Sequence, residues 1–557
     1  MKQYDVPRIW RTLQDSTGLR LFVLLLAFIM PALACGQATP MPPPITPTPA
    51  PPTPPSPNAT PFTIALEYGI LGVADAYAAT GITYAKPQLV YTVWGNVEPE
   101  PGRYVWRQQD AVVDEYHAAG FTCLQLLLSA DSPWANSQQP KLGDLGNTFP
   151  QEAFLNDYVA FVTNVVERYD ADGIDDMPGL RYPIHDYGVE REFTGFWPGP
   201  AADYVRLLRL AYPAIKAADP QAQVLLVALL MGDVFDAYPD QAEIDRRLTQ
   251  TPSFRKSVAD IRLILSACDA YDIVDFHSLA DYSEIPPTAA WIRQQLADNG
   301  CGDRPIWIGD AFPMSGLFGF GGFVPPIPFW PITGETRDAA VAWIQAVADP
   351  ADPDHEAAQA WMRAETARGL VKKIVVAAAA HLRGINVGNL EDWKTGIAGV
   401  DKAAVPSLGA AMFMGLMDTT ITARQPGGEL PYSGQLWASA RRAGAPRPAF
   451  YALTLVAEQL DGFTGVARLD LGEGVWAFQF ERPQGPLWVL WYDAGALAFP
   501  IAPAPNGAVT LPFPAAAAEV RQTPTTADAP AAVRVAATDG LLPLTLDATP
   551  IFITVAP

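Results

Sequence analysis

Eight short apolar segments alternate with helix-length amphipathic segments between residues 62 and 463, and this alternation limits the possible folds more than any other feature of the sequence. Strands that alternate with helices build parallel sheets, and eight repeats over about 400 residues predict a (β/α)8 TIM barrel. The alternative, an open doubly wound sheet, usually has a Gly-rich phosphate loop after its first strand, and this sequence has none there. The predicted strands are residues 63–70, 81–88, 121–130, 185–190, 223–230, 273–279, 304–311 and 384–390.

The helical segments are equally clear. Residues 154–169 and 202–219 carry apolar side chains at helical spacing, and several such segments end in glycine just before the next strand. Glycine is the usual residue after a helix C-terminus, because it adopts the left-handed backbone conformation without strain.

The pattern changes near residue 464, where short segments of alternating polarity are separated by turn pairs such as Glu473-Gly474 and Asp539-Gly540. This pattern predicts a small antiparallel β-sandwich over residues 464–557. Such a domain binds carbohydrate or packs against the barrel. Packing is favoured, because Trp476, Trp488 and Trp491 lie within predicted strands and not in loops. The predicted strands are residues 466–471, 475–480, 487–492, 508–513, 518–523, 533–538 and 550–555.

The first 61 residues predict a secreted, tethered protein. Basic residues precede an apolar run over residues 21–34, which is too short to span a bilayer and fits a signal peptide. The run ends at Cys35-Gly36 and resembles a bacterial lipoprotein signal, so Cys35 is predicted to be lipidated. An ordinary cleaved signal or a short uncleaved anchor is the alternative. Residues 36–61 are rich in proline and threonine, and they predict an extended, disordered spacer at the cell surface.

Composition excludes some partners. The net charge of −22 argues against nucleic acid and against an anionic membrane surface, so the predicted membrane contact is the lipid anchor alone. Of the other cysteines, Cys123 is expected to be a small core residue, while Cys268 and Cys301 can form a disulfide that the sequence alone does not establish. No spacing predicts a metal site, and no cofactor is predicted.

Several segments resemble one family. WGNVEPEPGRYVWRQQD (94–110) resembles the segment after the second barrel strand of clan A glycoside hydrolases. Four further matches follow in order: YGVE (187–190), DFHSL (275–279), PIWIGDAF (305–312) and a last helix with its sequel at 446–465. The resemblance covers about residues 62–557. It implies a retaining glycosidase barrel, with an acid/base glutamate after strand four, a nucleophile glutamate after strand seven and, in several such families, a C-terminal β-domain.

By this resemblance, Glu190 is the predicted acid/base and Asp310 the predicted nucleophile or base. Such enzymes need two carboxyl groups on either side of the glycosidic bond. Two positions depart from the family, since Val189 replaces an asparagine and Asp310 replaces a glutamate. An aspartate is shorter by one C–C bond, about 1.5 Å. Either the backbone compensates, or the site inverts through a water, or it binds sugar without cleaving it. Spare carboxyl groups near predicted strand ends can also take a role: Glu192, Glu284, Glu391 and Asp392.

Further candidates for substrate binding come from their positions at predicted strand ends. Lys86 stands where the family often has arginine, and His277 and Tyr282 stand where a side chain often supports the nucleophile. Asn386, with Asn389 after it, can reach sugar hydroxyls. Four tryptophans on loops can either stack on sugar rings or pack within their loops: Trp94, Trp134, Trp197 and Trp393.

The segment at residues 313–335 is rich in glycine and aromatic residues and starts three residues after Asp310. It is interpreted as a lid over the site, with a membrane or partner contact as the alternative. The sequence therefore predicts an extracytoplasmic hydrolase of O-glycosidic bonds in an oligosaccharide or polysaccharide. The alternative is a non-catalytic cell-surface protein that binds carbohydrate through a degraded glycosidase site.

Overall fold

A computed structural model describes residues 61–136, 149–235, 238–250, 256–313, 342–343, 346–347, 349–387, 415–422, 429–434, 438–495 and 504–557. The signal segment, Cys35 and the spacer up to residue 60 lie outside this part of the chain. Within it, no helix combines the length and the apolar character needed to cross a membrane.

Eight parallel strands close into a barrel in sequence order, with the first strand paired to the eighth. They are β1 (Thr63–Gly69), β2 (Tyr84–Pro87), β3 (Cys123–Leu128), β4 (Asp186–Val189), β5 (Gln223–Leu230), β6 (Ile273–Ser278), β7 (Ile306–Ala311) and β8 (Gly384–Val387). All eight predicted strands are present, and the predicted (β/α)8 fold is confirmed.

Helices follow the strands. Those in the barrel region are α1 (Ala74–Ala78), α2 (Trp94–Val97), α3 (Arg107–Ala118), α4 (Leu155–Tyr169), α5 (Phe193–Phe196), α6 (Ala201–Ala218), α7 (Gly232–Phe235), α8 (Gln241–Gln250), α9 (Val258–Leu265), α10 (Ile285–Asp298), α11 (His355–Ala379) and α12 (Pro448–Leu460). The long helices bury one apolar face against the strands. In α4, for example, Tyr158, Phe161 and Val165 are buried, at the spacing of a helix that covers a core.

The barrel strands separate two apolar layers because successive side chains point to opposite faces. Inside the barrel, Tyr84, Leu127, Val227 and Trp307 form one compact cluster. Tyr187 and Val189 of β4 point the other way, into the larger core between strands and helices. The inner cluster fills most of the lower part of the barrel, so the space for a site lies near the C-terminal ends of the strands.

An antiparallel pair, β9 (Met417–Ile421) and β10 (Arg441–Pro446), joins the barrel to α12. Beyond α12, the only regular elements among the described residues are β-strands. It forms a six-stranded sheet in the order β11-β12-β13-β18-β15-β16 and a two-stranded sheet of β14 and β17. The strands are β11 (Gly465–Arg468), β12 (Val475–Glu481), β13 (Leu487–Tyr492), β14 (Gly507–Pro512), β15 (Ala517–Gln522), β16 (Val533–Ala536), β17 (Leu541–Leu546) and β18 (Ile551–Val555).

The two sheets enclose an apolar core of their own, which includes Trp488, Leu511 and Phe513. The predicted antiparallel β-sandwich is therefore present. The other predicted tryptophans lie on the outer face of the large sheet, where Trp476 stacks on Trp491 with ring centroids 5.7 Å apart.

That outer face packs on the barrel. The ring of Tyr282, just after β6, lies against both Trp476 and Trp491, 5.0 and 5.5 Å away. Its hydroxyl donates to Asp493, which also accepts a hydrogen bond from Tyr238. The sandwich thus holds two loops at the C-terminal end of the barrel strands.

The structure describes three of the four cysteines. Cys268 and Cys301 form a disulfide that joins the segments leading into β6 and β7. Cys123 is exposed at the start of β3, so its predicted place in the core is wrong. The strand segment was identified correctly, but its first residue lies at the open lower end of the barrel.

Candidate active site

Ionisable side chains from four strands meet inside the barrel, toward the C-terminal ends of the strands. Active sites of (β/α)8 barrels lie at this end. All of these side chains are buried. They are Glu67 on β1, Lys86 on β2, Asp275 and His277 on β6, and Asp310 on β7.

Asp310 is held from one side. Its Oδ2 accepts a hydrogen bond of 2.5 Å from the hydroxyl of Tyr68, while its Oδ1 is buried without a hydrogen-bond partner among the described residues. Burial raises the pKa of the Asp310 carboxyl, and the charge of His277 and the bond from Tyr68 oppose that rise. One oxygen is therefore fixed and the other is left for a ligand.

His277 lies between Asp310 and Glu192. It lies opposite Asp310 in the register between β6 and β7, and its Nδ1 is 3.2 Å from Glu192 Oε2. Burial alone would lower the pKa of His277, but the hydrogen bond to Glu192 and the charge of Asp275 raise it to about 8. His277 is thus cationic at neutral pH and stands between two carboxyl groups.

Glu192 follows β4 and reaches the site over a glycine. A Cβ atom on Gly195 would lie 2.1 Å from Glu192 Oε1, so only glycine leaves room for this carboxylate beside α5. The charge of Glu192 acts on Asp310 and on Tyr68 across the barrel mouth. Glu192, named from the sequence only as a spare carboxylate, faces Asp310.

Glu190 has different surroundings. Its carboxylate accepts a 2.5 Å hydrogen bond from the backbone N–H of Ala130 and one of 3.2 Å from Ser129, both in the loop after β3. The carboxyl group interacts electrostatically with Tyr158 and Tyr204, which belong to the outer helices α4 and α6. Burial raises the pKa of Glu190 to about 8. The structure therefore corrects its predicted position, because Glu190 points into the layer between strands and helices.

The cause of this difference is the backbone of Glu190, whose φ is +65°. A left-handed residue breaks the alternation of side chains along a strand. The left-handed backbone at Glu190 changes the direction of the chain after β4. As a result, Glu192 faces the barrel mouth.

Lys86 lies within the cluster. Its Nζ is 2.8 Å from Glu67 Oε2 and donates a 2.7 Å hydrogen bond to the carbonyl of Gly309. Burial tends to lower the pKa of Lys86, but the charges of Glu67 and Asp275 raise it above its usual value. Asn386 on β8 donates to Glu67 at 3.2 Å and accepts from Trp307 at 2.8 Å. Both predicted residues are in the site region and are already engaged by protein groups.

Asp275 fills a space that only glycine leaves open. Its Oδ1 accepts a 2.7 Å hydrogen bond from the N–H of Gly309, and a Cβ atom there would lie 2.1 Å from Oδ2. Burial raises the pKa of Asp275 to about 6. Gly309 immediately precedes Asp310, so Asp275 supports the strand that carries the predicted nucleophile.

Two of the tryptophans that were predicted to stack on sugar rings are buried, so that prediction is wrong for them. Trp94 and Trp197 are 0% and 1% exposed, and each indole N–H already has an acceptor, Glu98 for Trp94 and Pro200 for Trp197. Trp134 is partly exposed, but its ring packs edge-on against Trp94 and its N–H donates to the carbonyl of Glu98. Trp94 and Trp197 therefore pack within their loops, as the alternative interpretation predicted.

Tyr282 is also corrected, since it lies in the interface with the sandwich and not beside Asp310. Glu284 is buried at the same turn and accepts from Ser278 at 2.8 Å. Trp393, Asn389, Glu391, Asp392 and all but the first residue of the predicted lid lie outside the described residues.

Glu67, Tyr68 and Asp275 were not predicted as site residues. Two of them had a signal, because a carboxylate inside an otherwise apolar strand segment is rarely buried unless it is paired or functional. Tyr68 had none. It faces Asp310 only because its backbone is left-handed, with φ at +58°.

Solved structures share this architecture. A family 39 glycoside hydrolase from Bacteroides cellulosilyticus aligns over 89% of this chain and 81% of its own, with 13% identity and a TM-score of 0.53. A monomeric β-xylosidase from Caulobacter crescentus aligns over 90% of this chain and 97% of its own, with 14% identity and a TM-score of 0.51. The chain has the fold of the clan A glycoside hydrolases. No protein-family model and no curated protein matches the sequence.

Proposed function

We propose that the protein hydrolyses O-glycosidic bonds, with Glu192 as acid/base and Asp310 as nucleophile. The observation that carries the proposal is the pair of carboxyl groups from the ends of β4 and β7, with His277 bonded to one and adjacent to the other. The proposal is further supported by the resemblance described from the sequence, since that family has its catalytic carboxyl groups at the ends of strands four and seven.

In the first step, which needs the protonated form of Glu192, Asp310 Oδ1 attacks the anomeric carbon while Glu192 gives its proton to the departing oxygen. The bond between the sugar and its leaving group breaks as the bond to Asp310 forms. In the second step, Glu192 takes a proton from water, and the water oxygen displaces Asp310. The cations His277 and Lys86 favour the ionised form of Asp310.

Three matched variants test this assignment. Glu192→Gln and Asp310→Asn are expected to lose about 100-fold or more in kcat on aryl glycosides, since a positioned acid or base contributes 10²–10⁴-fold. Glu190→Gln, the same change two residues away, is expected to stay within about threefold of wild type, because surroundings rather than sequence position set the role. The panel should begin with aryl β-xylosides, because one solved relative is a β-xylosidase.

The leaving group gives a sharper test. A dinitrophenolate departs without a proton, so Glu192→Gln should be far less impaired on dinitrophenyl glycosides than on alkyl glycosides. NMR of the first product should show a retained anomeric configuration. Inversion would instead make Asp310 the base for a water. Equal hydrolysis by wild type, Glu192→Gln and Asp310→Asn would rule out this assignment of roles. No hydrolysis by wild type, together with binding of a sugar, would leave a non-catalytic sugar-binding protein.

We further propose that the protein acts outside the cytoplasm, tethered by lipid on Cys35. The disulfide between Cys268 and Cys301 supports this, because such bonds persist in oxidising compartments. Cys35→Ser should move the protein from the membrane to the soluble fraction of a bacterial host. Unchanged fractionation would count against the lipid anchor.

A further inference from the structure

The first barrel strand is distorted beside Asp310. Tyr68, one residue before the end of β1, has a left-handed backbone with φ at +58°, and the register between β1 and β2 shifts between Leu66 and Gly69. A bulky side chain rarely adopts this conformation, because it is strained. Such strain persists only where the surroundings fix it, and it is common at functional sites.

The surroundings fix it here through Tyr116 of α3. The hydroxyl of Tyr116 accepts a 2.9 Å hydrogen bond from the N–H of Ile70 and donates one of 3.2 Å to the carbonyl of the same residue. A Cβ atom on Gly69 would lie 3.1 Å from the Tyr116 ring and 3.2 Å from Pro87. Tyr116 therefore fixes the backbone that follows Tyr68, and this keeps the side chain of Tyr68 in the site.

The result of this distortion is a short contact. The hydroxyl of Tyr68 donates to Asp310 Oδ2 at 2.5 Å, across 242 positions of sequence. Asp310 is buried and Tyr68 is partly buried, and the remaining oxygen of the aspartate, Oδ1, has no hydrogen-bond partner in the described part of the chain. Tyr68 occupies the volume directly beyond one oxygen of the aspartate.

We propose that Tyr68 is a positioning residue that fits this site to an aspartate nucleophile. This inference rests on the proposed function. A glutamate at position 310 would extend its carboxylate by about 1.5 Å, one C–C bond, into the hydroxyl of Tyr68. The shorter side chain fits, and its bond to Tyr68 turns Oδ1 toward the sugar. The departure at Asp310 is thus matched by a residue on a different strand.

The two positions should therefore depend on each other. Removing the hydroxyl of Tyr68 opens a space of about one C–O bond, close to the length that a glutamate adds. Tyr68→Phe should lower the kcat of an enzyme with Asp310, because the carboxylate of Asp310 can then rotate. The same change should help a site that carries Asp310→Glu, because it removes the obstruction.

The test is a double-mutant cycle of Tyr68→Phe and Asp310→Glu, measured as kcat and KM on an aryl glycoside. Asp310→Glu alone should lower kcat about 100-fold, as expected for a displacement of about 1 Å. Tyr68→Phe alone should lower kcat about 10-fold, with a smaller change in KM. The double variant should exceed Asp310→Glu alone by at least about 10-fold, because residues in contact are not additive.

Tyr84→Phe is the matched control. Tyr84 also donates a buried hydrogen bond to an aspartate inside the barrel, to Asp186 at 2.7 Å, but deeper than the site. It should leave the effect of Asp310→Glu unchanged. The inference is overturned if the double variant is no faster than Asp310→Glu alone, or if Tyr84→Phe restores activity equally well.

Thermal unfolding separates this inference from the proposed function. Asp310→Glu should lower Tm through overpacking, and Tyr68→Phe should recover part of that loss in the double variant. If no glycoside is cleaved by wild type, the proposed function fails, yet additive Tm changes would still overturn the fit between Tyr68 and Asp310. If wild type and Glu192→Gln differ as expected but the kinetic cycle is additive, only the inference about Tyr68 fails.

Discussion

Glu190 and Glu192 show how strongly surroundings decide the role of a carboxyl group. Both follow β4, but Glu190 is wholly buried against the loop after β3, whereas Glu192 reaches His277 at the barrel mouth. With a pKa raised to about 8, Glu190 is protonated in the folded protein at neutral pH. It acts as a neutral hydrogen-bonding group in the core.

This makes Glu190 a source of pH-dependent stability. The pKa of the Glu190 carboxyl is 4.5 without the fold and about 8 within it, so the folded state binds more protons between these values. Its contribution to stability is fully present below about pH 4.5 and is lost as pH rises toward 8, by about 1.4 kcal/mol per pH unit. Glu190→Gln, which cannot ionise, should flatten the decline in Tm between pH 5 and pH 8.

The control for this measurement is the range below about pH 4.5, where the Glu190 carboxyl is protonated both with and without the fold. There the difference in Tm between wild type and Glu190→Gln should not change with pH. A slope unchanged by Glu190→Gln would mean that Glu190 is ionised in the fold.

The sequence could not distinguish these two glutamates. Strand alternation predicts which side chains share a face, but it holds only while the backbone stays extended. The left-handed turn at Glu190 comes from tertiary packing, and glutamate has no preference for that conformation that the sequence would reveal. The strand end that supplies a carboxyl group to the barrel mouth was predictable, whereas the residue that supplies it was not.

At the scale of elements, long periodic segments were predicted well. The segments 154–169 and 202–219 became helices Leu155–Tyr169 and Ala201–Ala218. Short elements were missed, such as the four-residue helix Phe193–Phe196, because one turn carries too little periodic signal. Strand Leu541–Leu546 was missed too. It contains Pro543, which is tolerated because this strand pairs only with β14.

Asp493, at the tip of β13, should be a main support of the interface between the barrel and the sandwich. Asp493→Ala leaves the hydroxyls of Tyr238 and Tyr282 without their shared acceptor. Tyr282 is buried, whereas Tyr238 is exposed. A buried donor that loses its acceptor costs about 1–3 kcal/mol, so the loss at Tyr282 should lower Tm. Calorimetry should also show whether the two domains begin to unfold in separate transitions.

Asp528→Ala is a suitable comparison, because Asp528 is exposed on the sandwich far along the chain from this contact. It should change Tm little. An equal loss of Tm in both variants would show that Asp493 supports only its own strand end.

At the scale of the whole molecule, the order of elements was the strongest signal in the sequence. Eight repeats of strand and helix determined the barrel, and the change to alternating polarity near residue 464 determined the sandwich. The packing of Trp476 and Trp491 on Tyr282 was partly foreseeable from their place in strands. Their partner was not, because contacts between distant segments leave no local pattern.

The closure of the barrel has a consequence for the order of folding. β1 pairs with β8, Asn386 on β8 holds Glu67 on β1, and Tyr68 reaches Asp310 across 242 residues. Contacts this distant in sequence form late, since a long loop must close first. A partly folded chain can therefore contain every early strand without an assembled site. The site forms only when β8 pairs with β1 and closes the barrel.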